Sequence, residues 1–457
     1  MARRLWDKGD ALHPEVLAYT VGEDPVLDLE LVEEDVWGSL AHSRMLADVG
    51  LLADADRKAI HAGLVQILAE HRKGSFRISA EEEDVHTAVE GRLTERAGEA
   101  GRRLHTGRSR NDQVLLDVRL LLRRRLLEVA LAACGVGRAL LEVAREHEAV
   151  VMPGYTHLRQ AMPSSVGLWA AGHAEGIEES VTALLDAHRA ADACPLGSAA
   201  GFGVPLPLDR RRTAALLGFA RLQVNAQAVQ SSRGKAEAQA LFAATLLGND
   251  LAKLAWDLQL ASGPEQGFFK LAPDTATGSS IMPNKRNPDV LELTRANAAV
   301  VHSHLERVLL VASRLPSSYH RDYQVLKEPV IKGLRLARQM ARAMELTVSG
   351  LEVDRARCEA AVATEAFATH RAFELCREGV AFRDAYRQVG AELNQGKLTR
   401  PTDLQAIRAA YATEGSPGDL RLDEAAARLD ALSTQAEAAR ASFAARAAAL
   451  EAGEGPP

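Results

Sequence analysis

The sequence predicts an all-α protein built around a bundle of long helices, and three observations support this prediction. Much of the chain consists of Ala, Leu, Glu and Arg, which are strong helix formers. Aromatic residues make up only 4% of the 457 residues, whereas β-sandwiches and barrels need aromatic and β-branched runs with frequent turns. Long stretches without proline also carry apolar residues, and Pro153 and Gly154 interrupt the pattern after the first of them.

Residues 1–105 carry shorter helical stretches, which we expect to form a small N-terminal domain. One stretch covers 33–46. Another begins near residue 80 and carries apolar Val85, Val89 and Leu93 at four-residue spacing. Acidic residues at the beginning of this second stretch suit the positive end of a helix dipole.

The central region, 106–355, carries the long helices, and we expect a smaller helical domain to follow at 356–457. The long helices are predicted at 112–148, 163–193, 224–261, 289–315 and 328–351. Helices of this length usually need a bundle to bury them, so the bundle is expected to be oligomeric. Short helices are predicted again after residue 356, with exposed Ala-rich stretches near 424–448 and a disordered tail at 453–457.

Composition and charge exclude several classes of protein. With 55 Lys+Arg and 61 Asp+Glu the net charge is −6, which argues against a nucleic-acid partner. No apolar run approaches the roughly 20 residues of a membrane span, and the N-terminus lacks the apolar stretch of a secretory signal. The cysteines are far apart in sequence and indicate reduced thiols, so we expect a cytoplasmic protein without a metal site.

The most unusual segment is 278–289, Gly-Ser-Ser-Ile-Met-Pro-Asn-Lys-Arg-Asn-Pro-Asp. Its prolines forbid a continuous helix, and Asp289 can cap the helix that follows. A capped loop between helices explains this pattern in most proteins. However, the loop also gathers backbone N–H groups, hydroxyls, Lys285 and Asn287, which are groups that bind anions, and loops on rigid scaffolds are common functional sites.

Three further segments combine polar side chains with helix ends. At 152–160, Thr156 and His157 follow a Pro-Gly break, although a single His is more often structural. At 104–113, cationic and amide side chains gather at the beginning of a long helix, where carboxylates or phosphates bind readily, although an N-cap with solvated arginines is the more common explanation. At 315–328 a polar cluster interrupts two apolar helices, for which a surface loop is the alternative.

Taken together, the four segments resemble the argininosuccinate lyases of the fumarase/aspartase superfamily. The superfamily loop has the pattern GSSxMPxKxNP, and 278–288 match every fixed position. Segments 105–114 (HTGRSRNDQV) and 152–158 (MPGYTHL) are similar to the argininosuccinate branch, as are 83–93 and 285–293. The similarity extends from about residue 5 to residue 400.

The resemblance implies a reversible β-elimination of L-argininosuccinate to L-arginine and fumarate, the last step of arginine biosynthesis, with no metal or organic cofactor. Removal of the Cβ proton creates a dianion that preorganised donors and cations must stabilise. By resemblance, Ser279 is the base, Lys285 steadies the dianion, and His157 protonates the leaving nitrogen with Glu292 as its carboxylate partner. The opposite acid and base assignment of Ser279 and His157 stays open.

The resemblance also implies the residues that bind substrate. They are Ser109, Asn111 and Thr156 at the fumarate end, Asn287 beside Lys285, Arg110, Tyr319, Arg321, Gln324 and Lys327 at the arginine end, and His86 near the site. The implied fold is the L-aspartase-like fold, with a long-helix domain between two smaller ones. The implied assembly is a homotetramer in which each site takes segments from three chains.

Some positions depart from the family pattern, and two alternatives stay open. Arg321 stands where many members have Lys, Leu326 stands where many have Asp, and 19–24 replaces the usual stretch near the substrate amino group. Gln-Ser-Ser-Arg at 230–233 replaces a common Ser-Asp-Arg-Asp run, and Arg233 can supply the equivalent arginine. The alternatives are another superfamily lyase, such as adenylosuccinate lyase or aspartase, and an inactive crystallin-like structural protein.

Overall fold

The computed structural model describes residues 12–454, and helices make up most of this part of the chain. The helices are α1 (Pro14–Val21), α2 (Asp24–Leu27), α3 (Val32–Asp48), α4 (Asp54–Arg72), α5 (Val85–Ala97), α6 (Glu99–Arg102), α7 (Arg110–Glu146), α8 (Val166–Ala191), α9 (Arg210–Leu216), α10 (Ala226–Ser231), α11 (Lys235–Ser262), α12 (Asp289–Ala312), α13 (Lys327–Ser349), α14 (Arg355–Ala360), α15 (Ala368–Arg377), α16 (Phe382–Asn394), α17 (Leu404–Ala410) and α18 (Leu422–Glu451). The predicted all-α class is confirmed.

The strands are short and pair two by two. They are β1 (Val151–Thr156) with β2 (Arg159–Ser165), β3 (Ala193–Cys194) with β4 (Arg221–Leu222), β5 (Phe269–Lys270) with β8 (Glu352–Val353), and β6 (Thr277–Gly278) with β7 (Arg286–Asn287). Short 3-10 helices cover Asp28–Leu31, Pro273–Thr275, Arg321–Leu326 and Thr364–Phe367. The predicted absence of a secretory signal concerns residues 1–11, which lie outside the described residues.

The long helices form one bundle. Helix α7 packs against α8, α13 and α18, and α11 packs against α12, α8 and α13. Their apolar faces meet in the largest buried cluster, which includes Leu126, Leu184, Leu247 and Met344. None of the helices among residues 12–454 is long and apolar enough to cross a membrane.

A second apolar cluster joins α3, α4 and α5 to the first turns of α7. It contains Leu40, Ile67 and Leu93 of the N-terminal helices together with Leu116 and Leu120 of α7. The N-terminal helices are therefore fixed to the end of the bundle where α7 begins. The predicted domain limits at residues 105 and 355 stay a prediction.

The predicted ends of four long helices differ from the observed ends by at most three residues. The prediction of one helix over 224–261 is wrong, because the chain turns between α10 and α11. Gly234 adopts a left-handed conformation with φ +87° at this turn, and a Cβ there would lie 2.7 Å from Cβ of Ala312. The stretch predicted near residue 80 also begins later, since Asp84 caps α5 by accepting the N–H of Thr87 at 2.8 Å.

The prediction of only short helices after residue 356 is wrong for α18, which has 30 residues. Leu429, Ser433 and Ala436 lie buried where α18 packs along α7 and α8. The expected exposure of the Ala-rich stretch therefore holds for only part of its surface. The tail at 453–457 was predicted to be disordered. The carbonyl oxygen of Gly453 accepts a hydrogen bond from Nη1 of Arg44 at 3.2 Å, and residues 455–457 lie outside the described part of the chain.

The Pro153-Gly154 break is the first part of a β-hairpin that the sequence analysis missed. Strands β1 and β2 pair antiparallel, with an irregularity between Gly154 and Tyr155. His157 and Leu158 form its turn with φ 53° and 58°. The hairpin packs against α8 and the C-terminal helices α14 and α17, so His157 lies beyond the end of α7.

Candidate active site

A pocket lies at the N-terminal end of α7, between α5 and the segment that leads into α13. Its lining residues are Asp24, Glu83, Asp84, His86, Arg110, Asn111, Val114, Arg233, Tyr319, Arg321, Gln324 and Lys327. The fold thus brings together many of the predicted substrate-binding residues from three distant parts of the chain. The lining is dominated by charged and amide groups, as expected for a site that binds a polar, charged molecule.

A hydrogen-bonded turn fixes the beginning of α7 at this pocket. Oγ of Ser109 accepts the N–H of Asn111 at 3.2 Å, and the Asp112 carboxylate accepts the N–H of Ser109 at 3.0 Å. Asp112 also accepts the N–H groups of Gly197 and Ala199 at 2.9 and 2.7 Å. Ser109 therefore lies beside the pocket as the cap of α7. Arg110 and Asn111 line the pocket at the positive end of the helix dipole, which favours anions.

Two cations of the pocket are paired with acids from the segment before α5. Nη1 of Arg110 donates to Asp84 at 2.8 Å, and Nη2 of Arg321 donates to Glu83 at 2.6 Å. Asp84 is mostly buried. Although its burial opposes ionisation, His86 and Arg110 lower its pKa below the ordinary value. A carboxylate that enters the pocket must therefore exchange partners with these acids.

Lys327 is one of the two most deeply buried cations of the pocket. Its Nζ lies 2.6 Å from Asp28 and 2.9 Å from Asp24. Burial lowers the pKa of Lys327, but the two carboxylates outweigh burial and the pKa lies above the ordinary value. Burial raises the pKa of Asp24 to about 6 against the effect of Lys327. Lys327 is therefore charged. The unfavourable effect of burial on this group of charges appears in the raised pKa of Asp24.

Arg233 differs from the other cations because its Nε and Nη1 have no hydrogen-bond partner among residues 12–454. The guanidinium lies 5.2 Å from the ring centre of Tyr319 and 5.1 Å from that of Tyr323. Burial lowers its pKa. An unpaired buried guanidinium in a pocket wall is a suitable partner for a carboxylate, since bidentate bonds would satisfy its free N–H groups.

The segment 19–24, which departs from the family pattern, contacts the pocket directly. Gln324 donates to the carbonyl oxygen of Thr20 at 2.9 Å, and Arg321 donates to the same oxygen at 3.0 Å. Asp24 lines the pocket, whereas Leu326 is buried and is not part of the lining. Two of the departures, at 19–24 and at Arg321, therefore alter one wall of the pocket together.

The remaining predicted residues lie elsewhere. Thr156 and His157 are exposed on the hairpin, and Glu292 is exposed in the first turn of α12. In the loop before α12, Lys285 is exposed, and Asn287 lies in β7 opposite Thr277. None of them lines the pocket.

The loop holds Ser279 in a defined arrangement. Its Oγ accepts the backbone N–H of Met282 at 3.1 Å and that of Ile281 at 3.4 Å. Two N–H donors directed at one hydroxyl oxygen stabilise negative charge on that oxygen. The arrangement suits a serine that acts as a base.

Helix lengths show how far apart the two groups of residues are in one chain. Helix α7 has 37 residues and spans about 55 Å, with the pocket at its beginning and the hairpin after its end. Helix α11 has 28 residues and spans about 42 Å, with Arg233 just before it and the Ser279 loop after it. The pocket therefore lies at the opposite end of the bundle from the hairpin that carries His157 and the loop that carries Ser279.

Comparison with known proteins identifies the family to which this chain belongs. Residues 18–303 match the family model described as Lyase. An argininosuccinate lyase of Sorangium cellulosum is 46% identical over 94% of this chain and 99% of its own length. An argininosuccinate lyase of Stenotrophomonas maltophilia K279a is 42% identical over 95% of this chain and 100% of its own length.

The chain belongs to the argininosuccinate lyase family. Solved structures agree on the fold: EDDS lyase in complex with formate has a TM-score of 0.80 at 24% identity and covers 97% of both chains. Fumarate lyase:delta crystallin from Brucella melitensis bound to cobalt has a TM-score of 0.70 at 20% identity, over 88% of this chain and 91% of that one. The predicted fumarase/aspartase fold is confirmed.

The sequence patterns did not identify some of the residues in and behind the pocket. Asp24 and Glu83 were not among the candidates, and Arg233 was noted only as a departure. The carboxylates of Asp35 and Asp117 behind His86 were missed as well. One signal was available: Asp117 interrupts the apolar run Leu115-Leu116-Asp117-Val118, and an acid on a buried helix face needs a partner.

Replacement of Lys327 by Met tests the buried ion pairs of the pocket. We expect the free energy of unfolding to fall by about 3–5 kcal/mol, because Asp24 and Asp28 lose their cation in a buried place. Urea denaturation at fixed protein concentration measures the change. Lys58→Met, which removes an exposed pair with Asp54, is the matched control and should leave stability nearly unchanged. Equal losses in the two variants would contradict the prediction.

Proposed function

We propose that this chain is an argininosuccinate lyase that converts L-argininosuccinate reversibly to L-arginine and fumarate in arginine biosynthesis. The main support is that the chain is 46% and 42% identical to two argininosuccinate lyases over nearly its full length and has the complete 278–288 loop. Its four cysteines are free thiols, in agreement with the cytoplasm as its compartment.

In this proposal Ser279 removes the Cβ proton, and its two backbone N–H donors favour the charged hydroxyl. Lys285 and Asn287 stabilise the dianion, and Ser109, Asn111 and Thr156 hold the fumarate end. His157 protonates the leaving guanidino nitrogen, with Glu292 as its partner. This division leaves the cationic pocket for the arginine end of the substrate.

The arginine end carries an amino group, a carboxylate and a guanidino group, and the pocket offers partners for each kind. Arg110, Tyr319, Gln324 and Lys327 are the proposed contacts to the amino-acid group, and Arg321 and His86 lie beside them. The unpaired guanidinium of Arg233 is an additional partner for the carboxylate. The acids Asp24 and Glu83 suit the positively charged groups of the substrate.

We further propose a homotetramer with shared sites. One chain holds the pocket and the catalytic segments at opposite ends of helices about 40–55 Å long, so a complete site needs segments from other copies. Helices α11 and α12 also expose large apolar side chains, namely Phe242, Trp256, Leu260, Leu293, Val300, Leu309 and Leu310. Apolar surface of this extent is typical of a face that packs against a partner.

The direct test is a spectrophotometric assay of fumarate release from argininosuccinate by the purified protein. We expect activity with argininosuccinate and none with adenylosuccinate or aspartate. Preference for either competitor would assign the chain to another lyase of the superfamily. Absence of fumarate from all three substrates would favour the inactive structural alternative.

A further inference from the structure

Two buried carboxylates, Asp35 on α3 and Asp117 on α7, lie beside the imidazole of His86. Nδ1 of His86 is 2.6 Å from Oδ2 of Asp35 and 3.6 Å from Oδ2 of Asp117. These three atoms lie within 4.8 Å of one another. Asp35 and Asp117 are at most 1% exposed, whereas His86 reaches the pocket wall. The cluster therefore connects the buried core to the pocket through one side chain.

Few hydrogen bonds reach these carboxylates. Oδ2 of Asp35 accepts from His86 and, at 2.8 Å, from Nε2 of Gln113. Oδ1 of Asp35 and both oxygens of Asp117 have no partner among residues 12–454. No Lys or Arg of this described part forms an ion pair with either acid. Two ionised carboxylates in such a place would be strongly unfavourable even beside a charged His86, which offsets only one of them, so a second positive charge or one proton has to be present.

The surrounding charges do not supply that positive charge. The charged groups that face the pair are Glu34, bonded to Arg124; Asp28, bonded to Lys327; Asp84, bonded to Arg110; and Arg108, whose Nη1 donates to Ser39. The neighbouring acids are thus matched with cations of their own. Arg108 is the nearby cation that opposes the negative charge, and burial together with Asp35 outweighs it, which raises the pKa of Asp117 well above its ordinary value.

We propose that Asp35 and Asp117 share one proton, and that this buried pair positions His86 at the pocket wall. In this proposal Asp117 carries the proton, one of its carboxyl oxygens lies within 4.8 Å of an oxygen of Asp35, and Oδ2 of Asp35 accepts the Nδ1–H of His86. The ring is thereby held in one orientation, in which the buried Nε2 has no protein partner among the described residues.

The geometry favours a proton over a divalent cation in this cluster. Nδ1 of His86 and Oδ2 of Asp35 are separated by 2.6 Å, which is a hydrogen-bond distance. Two ligands of one tetrahedral ion, each bound at about 2.0–2.1 Å, lie about 3.3 Å apart. A bound cation would therefore need this pair to separate.

The first test uses stability and does not depend on catalysis. Asp117→Asn has the same shape and is always neutral. A carboxyl whose folded-state pKa is raised contributes stability at low pH, and this contribution is lost as the pH rises through that pKa. We expect the two proteins to have similar melting temperatures at acidic pH and the variant to become the more stable one as the pH rises.

An exposed acid provides the control for this measurement. Asp54→Asn, at an exposed acid, should not reproduce the rising difference. A carboxylic-acid band in the infrared spectrum of the wild type, absent from Asp117→Asn, would support the neutral acid directly. The proposal is overturned if Asp117→Asn is less stable than wild type at every pH, or if Zn²⁺ or Mn²⁺ raises the melting temperature of the wild type alone.

The second test asks whether the pair positions His86, and it rests on the proposed function. Because Asn keeps the shape and polarity of the neutral carboxylic acid, Asp117→Asn should lose much less kcat/KM with argininosuccinate than Asp117→Leu. For Asp117→Leu and Asp35→Leu we expect losses of about 10–100-fold, as for partners that orient a functional His. Equal losses for Asn and Leu at position 117 would refute the positioning role. An inactive wild type would instead refute the proposed function and leave the stability result valid.

Discussion

Replacement of Ser279 by Ala is expected to lower kcat for fumarate release by about 10²–10⁴-fold, with little change in KM. The proton at Cβ is only weakly acidic, so the reaction depends on a positioned base and on stabilised charge. In this chain the hydroxyl of Ser279 accepts two backbone N–H groups within its own loop. Ala removes the proton acceptor but leaves the backbone turn, the cation of Lys285 and the binding pocket in place.

Ser280→Ala is the matched control, since it makes the same change one residue further along the same exposed loop. We expect it to keep kcat within a factor of about three, because its hydroxyl is not the one held by the loop N–H groups. Initial rates over a range of argininosuccinate concentrations separate kcat from KM. If Ser279→Ala kept full kcat while His157→Asn abolished it, the base would be His157 and the assignment of the two roles would be reversed.

The long helices were predictable because long stretches rich in Leu, Val and Ala mark them directly. Helix α18 was not, since Ala residues occur all around it and its buried residues, Leu422, Leu429, Ser433, Ala436 and Leu450, form only a weak pattern. The break before α11 depends on close packing of Gly234 against Ala312, which a single segment of sequence does not reveal. Local patterns thus identify helices, whereas interruptions and partners depend on packing between distant segments.

The same distinction applies to the site. The loop 278–288 carries its chemistry within eleven consecutive residues, so its residue types and order were sufficient to find it. The ion pair of Lys327 with Asp28 joins residues 299 positions apart, and the partners of His86 lie on two other helices. Buried charge networks of this kind follow from the fold and become visible only when the helices are assembled.

The pocket and the Ser279 loop lie at opposite ends of the bundle, so we expect each site to combine them from different chains. Two inactive variants, one defective in the pocket and one in the loop, should therefore regain activity when they are mixed. Arg110→Ala removes a cation of the pocket, and Ser279→Ala removes the proposed base. Each variant alone should be nearly inactive. After the two are mixed, dissociated and reassociated at equal amounts, we expect about a quarter of wild-type activity. Each site needs an intact pocket from one chain and an intact loop from another, and each is present in half of the chains.

A mixture of Ser279→Ala with Lys285→Met provides the control for this experiment. Both changes lie on one loop, so every site in the mixed assembly receives a loop with one defect, and no activity should return. The contrast depends only on whether the pocket and the loop of a site come from different chains. If the Arg110→Ala and Ser279→Ala mixture also stayed inactive after verified subunit exchange, the site would be complete within one chain. The distance of about 40 Å that α11 places between Arg233 and the loop would then have to close by a large rearrangement of the bundle end.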